Sequence, residues 1–156
     1  MLLRIVRGLA SEEVVERIQW FEREFGMSFE EFEEKYSGQK LEAKLGRAYF
    51  EWAELVNSYK GYIEEGQVDY SIEEIISLTP KQVALLTPKR IELLYQLAST
   101  RVESINDFAK KVRRNIKNVH QDIQTLRKLG FVKVTKRRGR ALVPETLVRE
   151  MTFLIR

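Results

Sequence analysis

Residues 104–143 read SINDFAKKVRRNIKNVHQDIQTLRKLGFVKVTKRRGRALV, and this pattern predicts two short helices followed by a β-hairpin. Ser104 is a typical helix-capping residue, and apolar residues recur at helical spacing up to Val112. A tight turn at 113–115 leads into the next helix, which Leu129-Gly130 ends. Two alternating apolar runs then flank a tip, 136–140, whose four cations surround one glycine, the residue that tight hairpins favour.

The second of these helices has two chemically different faces. Its predicted core residues are Ile116, Val119, Ile123 and Leu126. Its opposite face holds cations and amides, namely Arg114, Lys117, Asn118, Gln121 and Thr125, flanked by Gln124. Amide side chains can pair with adenine in the major groove, and Lys or Arg can bind guanine or phosphate. Asp122 is expected to project to one side, which leaves the face without a carboxylate. An ordinary solvated helix, which more often mixes Glu with Lys, is the alternative.

Residues 87–99 add a first helix, which begins at Thr87-Pro88. Its predicted apolar face is Ile91, Leu94, Tyr95 and Ala98. Three helices followed by a β-hairpin resemble the winged helix-turn-helix regulators of the MarR and ArsR kind over about 87–144. The resemblance implies that Asn118 and Gln121 read bases and that Arg138 and Arg140 form the wing tip. Asn118 and His120 stand where Ser or Thr is commoner in that family, so no operator sequence is implied.

The sequence therefore predicts a DNA-binding surface with no catalytic residue. Its residues are Arg113, Arg114, Asn115, Lys117, Asn118, His120, Gln121, Gln124, Thr125, Lys136, Arg137, Arg138 and Arg140. His120 lies at the edge of the polar face that carries Asn118 and Gln121, which we call the reading face. There it can touch phosphate or pack against the helix over 87–99. Exposed aromatic residues for stacking are few in this half, which favours double-stranded DNA over RNA or single strands.

Charge divides the chain. Residues 1–80 hold 9 Lys/Arg and 17 Asp/Glu, whereas residues 81–156 hold 18 Lys/Arg and 6 Asp/Glu. Twelve of the 16 aromatic residues precede residue 81. We interpret the basic half as a phosphate-binding part and the acidic half as a dimerisation or partner-binding part. Electrostatic pairing of the two halves within one molecule is the alternative.

The acidic half is predicted to be helical, with helices over 11–25, from Ser28 and over 39–64. In the helix over 39–64, successive apolar residues are separated by 4, 3, 4, 3, 4 and 3 positions, which is a heptad pattern. The predicted homodimer interface is Leu41, Leu45, Ala48, Trp52, Leu55, Tyr59 and Tyr62. Trp20 and Trp52 are expected in the core or in this seam.

The predicted fold class is mainly α with a small β-hairpin wing, in three parts. These are a helical region over 1–66, a connector over 67–86 with a short helix after Thr79-Pro80, and a winged helix-turn-helix over 87–156. Residues 2–6 are expected to form a short strand or an apolar arm. For 145–156 both helix and strand fit, and the alternation of Met151, Phe153 and Ile155 slightly favours a strand.

Short stretches also resemble archaeal antitoxin-type DNA-binding proteins. They are LTPKRIELL at 86–94, KNVHQD at 117–122 and FGMSFEEF at 25–32. The resemblance implies that the acidic half dimerises or grips a toxin-like protein while the basic half represses its own operon.

Composition excludes several other functions. With no Cys, thiolate zinc sites and cysteine nucleophiles are impossible, and a single His leaves no histidine metal cluster. The Glu pairs sit on solvent faces of predicted helices, so neither a metal nor another cofactor is expected, and we predict no enzyme. No apolar run nears the ~20 residues that a membrane span needs, and cytoplasm is the default location. High charge content without Cys favours a heat-adapted source.

Overall fold

The computed structural model describes the backbone of residues 1–156 and every side chain except that of Arg138. The described residues form seven α-helices: α1 Ser11–Phe25, α2 Phe29–Lys35, α3 Ala43–Glu65, α4 Pro80–Leu85, α5 Pro88–Ser99, α6 Ile105–Lys111 and α7 Ile116–Lys128. The strands are β1 Leu2–Gly8, β2 Ser71–Ser77, β3 Val132–Lys136, β4 Leu142–Thr146 and β5 Val148–Leu154. The protein is therefore mainly α-helical with small β-sheets, as predicted.

The described residues form two β-sheets. The order of the larger one is β2–β1–β5, and β5 runs antiparallel to β1 with Leu3 opposite Phe153 and Ile5 opposite Met151. The other is the antiparallel β3–β4 hairpin. The strand alternatives for residues 2–6 and for the carboxyl-terminal tail are confirmed. β2 was not predicted, because Ile72, Ile75 and Ile76 do not alternate strictly along it.

The chain divides into two compact units. Met1–Arg7 and Glu73–Arg156 form the basic unit, with 20 Lys/Arg and 8 Asp/Glu, and Gly8–Ile72 forms the acidic unit, with 7 Lys/Arg and 15 Asp/Glu. The charge asymmetry thus follows the structural division. The predicted boundaries after residues 66 and 86 do not coincide with it, because β1 pairs with β5 and most of the connector belongs to the basic unit.

Aromatic rings form the core of the acidic unit. Trp52 is fully buried, with its ring centroid 5.5 Å from that of Phe21 on α1 and 5.3 Å from that of Phe32 on α2. Leu55 is also fully buried. Trp52 and Leu55 were predicted in the dimer seam; instead, α1 and α2 cover the middle of α3 within the same chain. The remaining seam residues are half-buried: Leu41, Leu45, Ala48, Tyr59 and Tyr62.

The core of the basic unit joins the sheet to the helices. Its buried residues include Leu3 and Ile5 of β1, Leu93 and Leu97 of α5, Ile105, Phe108 and Ala109 of α6, Val119, Ile123 and Leu126 of α7, and Phe131 and Val132 at the start of the hairpin. Burying this apolar surface is the main term that holds α6 and α7 in place.

Three predicted core positions of the basic unit are exposed, namely Tyr95, Ala98 and Ile116. The buried side of α5 carries Leu93 and Leu97, whereas Tyr95 is 75% exposed. The apolar side predicted for α5 lines an open groove of about 470 Å³ between α5 and β5, and its residues Ile91 and Leu94 are half-buried against the core. Ile116, the first residue of α7, is 42% exposed, since the first turn extends past the packed part of the helix.

The two Thr-Pro pairs begin α4 and α5, as the sequence predicted. The hydroxyl oxygen of Thr79 accepts a hydrogen bond from the backbone N–H of Gln82 at 3.2 Å, and that of Thr87 accepts from Arg90 at 3.3 Å. Pro80 and Pro88 follow these caps at a position where a missing N–H costs nothing. Among the described helices, none has both the length and the apolarity of a membrane span.

Candidate nucleic-acid interface

A four-residue turn, 112–115, links α6 to α7. The backbone N–H of Arg114 donates to the carbonyl oxygen of Ala109 at 3.0 Å, which closes α6 while Arg113 takes a left-handed conformation with φ 55°. The side-chain oxygen of Asn115 accepts from the backbone N–H of Asn118 at 3.3 Å and caps α7. Asn115, which the sequence predicts to contact DNA, is thus the N-cap residue of α7 in the structure.

The start of α6 is fixed by a carboxylate. Asp107 accepts a hydrogen bond at 3.0 Å from the backbone N–H of Glu103 and pairs with Lys111 at 3.1 Å. The Glu103 N–H first, and then Lys111, lower the pKa of Asp107 below its ordinary 3.8. Ser104 caps the same helix end, with its hydroxyl oxygen 2.9 Å from the backbone nitrogen of Asp107.

The solvent face of α7 carries the predicted reading residues. Lys117, Asn118 and Gln121 are exposed, and Gln124 and Thr125 are half-buried beside them. The hydroxyl of Thr125 donates to the carbonyl oxygen of Gln121 at 3.1 Å. Among the described residues of this face, none is a carboxylate. The helix therefore brings three polar groups to solvent on one side and keeps Val119, Ile123 and Leu126 buried on the other.

His120 contacts the neighbouring helix. Its Nε2 lies 3.2 Å from the side-chain oxygen of Asn106 on α6, within hydrogen-bond distance. The sequence predicts that His120 touches phosphate or packs against the first helix of the motif, α5. In the structure its partner, Asn106, belongs to the second helix, α6. His120 thus links α6 to α7 beside the reading face.

A buried carboxylate joins the helices behind that face. Asp122 is only 9% exposed, and it accepts from Arg90 Nε at 2.9 Å and from Arg114 Nη2 at 2.6 Å. The other arm of Arg90 donates to the carbonyl oxygen of Leu85 at 3.0 Å, so α5 is tied to the same cluster. Sequence reasoning missed this cluster. A signal existed, because Asp122 lies three residues after Val119 and next to Ile123, inside the buried sector of α7.

The hairpin presents its cations at the tip. The backbone N–H of Arg137 donates to the carbonyl oxygen of Ala141 at 2.8 Å, and residues 138–140 form a 3₁₀ turn between them. Gly139 and Arg140 both have positive φ, 79° and 74°. Lys136, Arg137 and Arg140 are exposed, whereas the side chain of Arg138 lies outside the described part of the protein.

No metal site is evident in this part of the protein. Among the described residues, no three His, Asp or Glu side chains lie close enough together to hold a metal ion.

Comparison with known proteins gives one similarity. The family model HVO_A0114 matches residues 85–151, from the end of α4 to the middle of β5 and under half of the chain. No curated protein and no solved structure matches the chain. The family name states no ligand or activity, so the match adds no function.

Proposed function

We propose that this protein is a sequence-specific regulator of transcription that binds double-stranded DNA, acts as a repressor and needs no cofactor or catalysis. In this proposal α6 and α7 are a helix-turn-helix, α7 enters the major groove, and the β3–β4 hairpin is a wing on the backbone or minor groove. The observation that carries the proposal is the α7 face, which offers Lys117, Asn118 and Gln121 without a carboxylate among its described residues.

Backbone strain supports the same surface. Among the described residues, Arg113 and Arg140 are the non-glycine residues with positive φ. A left-handed conformation costs a residue with a side chain about 1 kcal/mol, which glycine would avoid. Both positions keep an arginine in spite of that cost, one in the α6–α7 turn and one at the hairpin tip. Strain of this kind tends to persist where the side chain has a function, here phosphate binding.

Net charge supports a polyanionic ligand. The basic unit carries a net charge of +12, against −8 for the acidic unit. A field of this sign accelerates encounter with DNA, and each phosphate that a cation neutralises adds salt dependence.

Two sets of variants test the proposal by fluorescence anisotropy with labelled duplexes. Arg137→Ala with Arg140→Ala should weaken binding to every sequence and flatten the slope of log K against log salt by about 0.9 for each phosphate that the variant no longer neutralises. Asn118→Ala or Gln121→Ala should instead change which sequence is preferred, by about 1–3 kcal/mol at one base pair.

The control is Arg101→Ala, an exposed cation of the same unit outside the proposed surface. Equal effects of Arg101→Ala and of the hairpin variant would refute the assigned surface.

A homodimer is part of the proposal, because two-fold DNA-binding dimers read two half-sites about one helical turn apart, ~10 bp. The predicted interface residues that remain half-buried are Leu41, Leu45, Ala48, Tyr59 and Tyr62, and the ring centroids of Tyr59 and Tyr62 lie 6.2 Å apart. Sedimentation equilibrium should give a dimer for the natural chain and a monomer for Tyr62→Glu. A monomeric natural chain would refute the dimer.

A second candidate function is binding of a toxin-like protein by the acidic unit. The observation that favours it is the exposure of Trp20 (52%) and Phe50 (68%) in a unit of net negative charge. Trp20 also lines a groove of about 660 Å³ together with Glu16, Arg17 and Glu51. Aromatic residues ringed by polar groups are typical of interaction hot spots.

Co-expression with the product of the neighbouring gene tests this candidate. We expect a complex that survives gel filtration and is abolished in Trp20→Ala with Phe50→Ala. Elution of the two products apart would count against it.

A further inference from the structure

Arg113 and Arg114 are neighbours with the same chemistry and different surroundings. The side chain of Arg113 is exposed to solvent. That of Arg114 is 24% exposed and lies 2.6 Å from Asp122. The sequence predicted that both bind DNA, and only their environments distinguish them.

Asp122 needs cationic partners because a buried, unpaired carboxylate is costly. Arg90 supplies one of them, and the fold fixes it firmly: its backbone N–H is capped by Thr87 and its guanidinium also donates to Leu85. Arg114 supplies the second through a short charge-assisted bond. The side chain of Asp122 is 13% exposed, so salt and water screen this attraction less than they screen a phosphate on the DNA surface.

We propose that Asp122 is a positioning residue that withholds the Arg114 guanidinium from DNA phosphates. This inference rests on the proposed DNA-binding function. Phosphate binding carries no sequence information. Pairing of Arg114 with Asp122 therefore lowers the affinity for non-specific DNA, and a larger share of the discrimination between DNA sequences comes from Asn118 and Gln121. The turn then offers one phosphate-binding cation, Arg113.

The adjacent arginines provide a matched test, with a random-sequence duplex as the probe and salt titration as the readout. Arg113→Met should flatten the slope of log K against log salt by about 0.9. Arg114→Met should leave that slope unchanged and the affinity within twofold. A flattening of the slope in Arg114→Met equal to that in Arg113→Met would overturn the inference.

Removal of the carboxylate provides the reverse test. Asp122→Asn should bind the random duplex several-fold more tightly, with a slope steeper by about 0.9. The double variant Asp122→Asn with Arg114→Met should return to the slope of the natural protein. Glu92→Gln is the control, because it removes one negative charge at an exposed site on α5. An unchanged slope in folded Asp122→Asn would overturn the inference.

The outcomes separate the two proposals. If Asp122→Asn fails to fold, the Arg113 and Arg114 comparison still decides, since Asp122 keeps Arg90 in Arg114→Met. No binding of any duplex by the natural protein would overturn the proposed function, and this inference with it. Binding with equal slopes for the two arginine variants would overturn the inference alone.

Discussion

At the residue scale, the environment of each cation matters more than the count of cations. The sequence marks Arg113, Arg114 and Arg140 as equivalent positive charges. Two of them occupy left-handed positions, and the third is paired with Asp122. Backbone strain leaves no local sequence pattern. The position of Asp122 in the buried sector of α7 indicates a buried carboxylate, but it does not indicate that Arg90, 32 residues away in the chain, pairs with it.

Replacing a strained arginine by glycine should separate folding from binding. In Arg113→Gly the relief of left-handed strain, about 1 kcal/mol, offsets the greater chain entropy of glycine in the unfolded state. We expect a melting temperature equal to or above that of the natural protein, measured by circular dichroism, together with weaker binding of duplex DNA.

Arg113→Ala is the control, since it removes the charge and keeps the strain. The interpretation of strain would be wrong if Arg113→Gly were clearly less stable than Arg113→Ala.

Asp107 should make the stability of α6 depend on pH. Its pKa is lowered in the folded state, first by the Glu103 backbone N–H and then by Lys111. Its contribution is therefore present above the ordinary value of 3.8 and disappears as the pH falls through the lower folded value. Urea midpoints should show Asp107→Asn less stable than the natural protein at pH 6, with the difference shrinking as the pH falls below the ordinary Asp pKa of 3.8. A difference independent of pH would contradict this.

At the scale of elements, the residues that cap helices and form tight turns predicted the helices and the hairpin that they begin or close. The caps at Thr79, Thr87 and Ser104 and the glycine at the hairpin tip gave helices and a hairpin where the structure has them. The heptad of α3 is different, because an apolar stripe predicts a packing face without saying which chain covers it. Trp52 and Leu55 are covered by α1 and α2.

The two tryptophans of the acidic unit should differ in their contribution to stability. Trp52→Ala opens a cavity in a fully buried site and should cost about 3–5 kcal/mol. Trp20→Ala, at a site that is 52% exposed, should cost less than about 1 kcal/mol. Urea unfolding followed by far-ultraviolet circular dichroism measures both. Equal costs would show that the aromatic core is not organised around Trp52.

At the scale of the whole molecule, the basic unit is built from two separate segments of chain. Met1–Arg7 contributes the central strand of its sheet and the buried side chains of Leu3 and Ile5. The sequence placed these residues with the acidic half, because strand pairing between distant segments leaves no mark in either segment alone. A domain defined as 87–156 therefore lacks part of its own core.

A pair of shortened chains tests this organisation. Residues 87–156 alone should show no cooperative thermal transition, since β5 loses β1. Met1–Arg7 joined by a short Gly/Ser linker to Glu73–Arg156 should melt cooperatively, because Arg7 Nε already lies 3.0 Å from Glu74 Oε2. A cooperative transition in 87–156 equal to that of the linked chain would contradict the two-segment unit.

Selection of bound duplexes from a random pool by the full chain is the most direct test of DNA recognition through α7. We predict enrichment of an inverted repeat whose half-sites lie about one helical turn apart, ~10 bp, and disappearance of that preference in Asn118→Ala with Gln121→Ala. A pool that stays random after repeated rounds at low salt would contradict the proposed function.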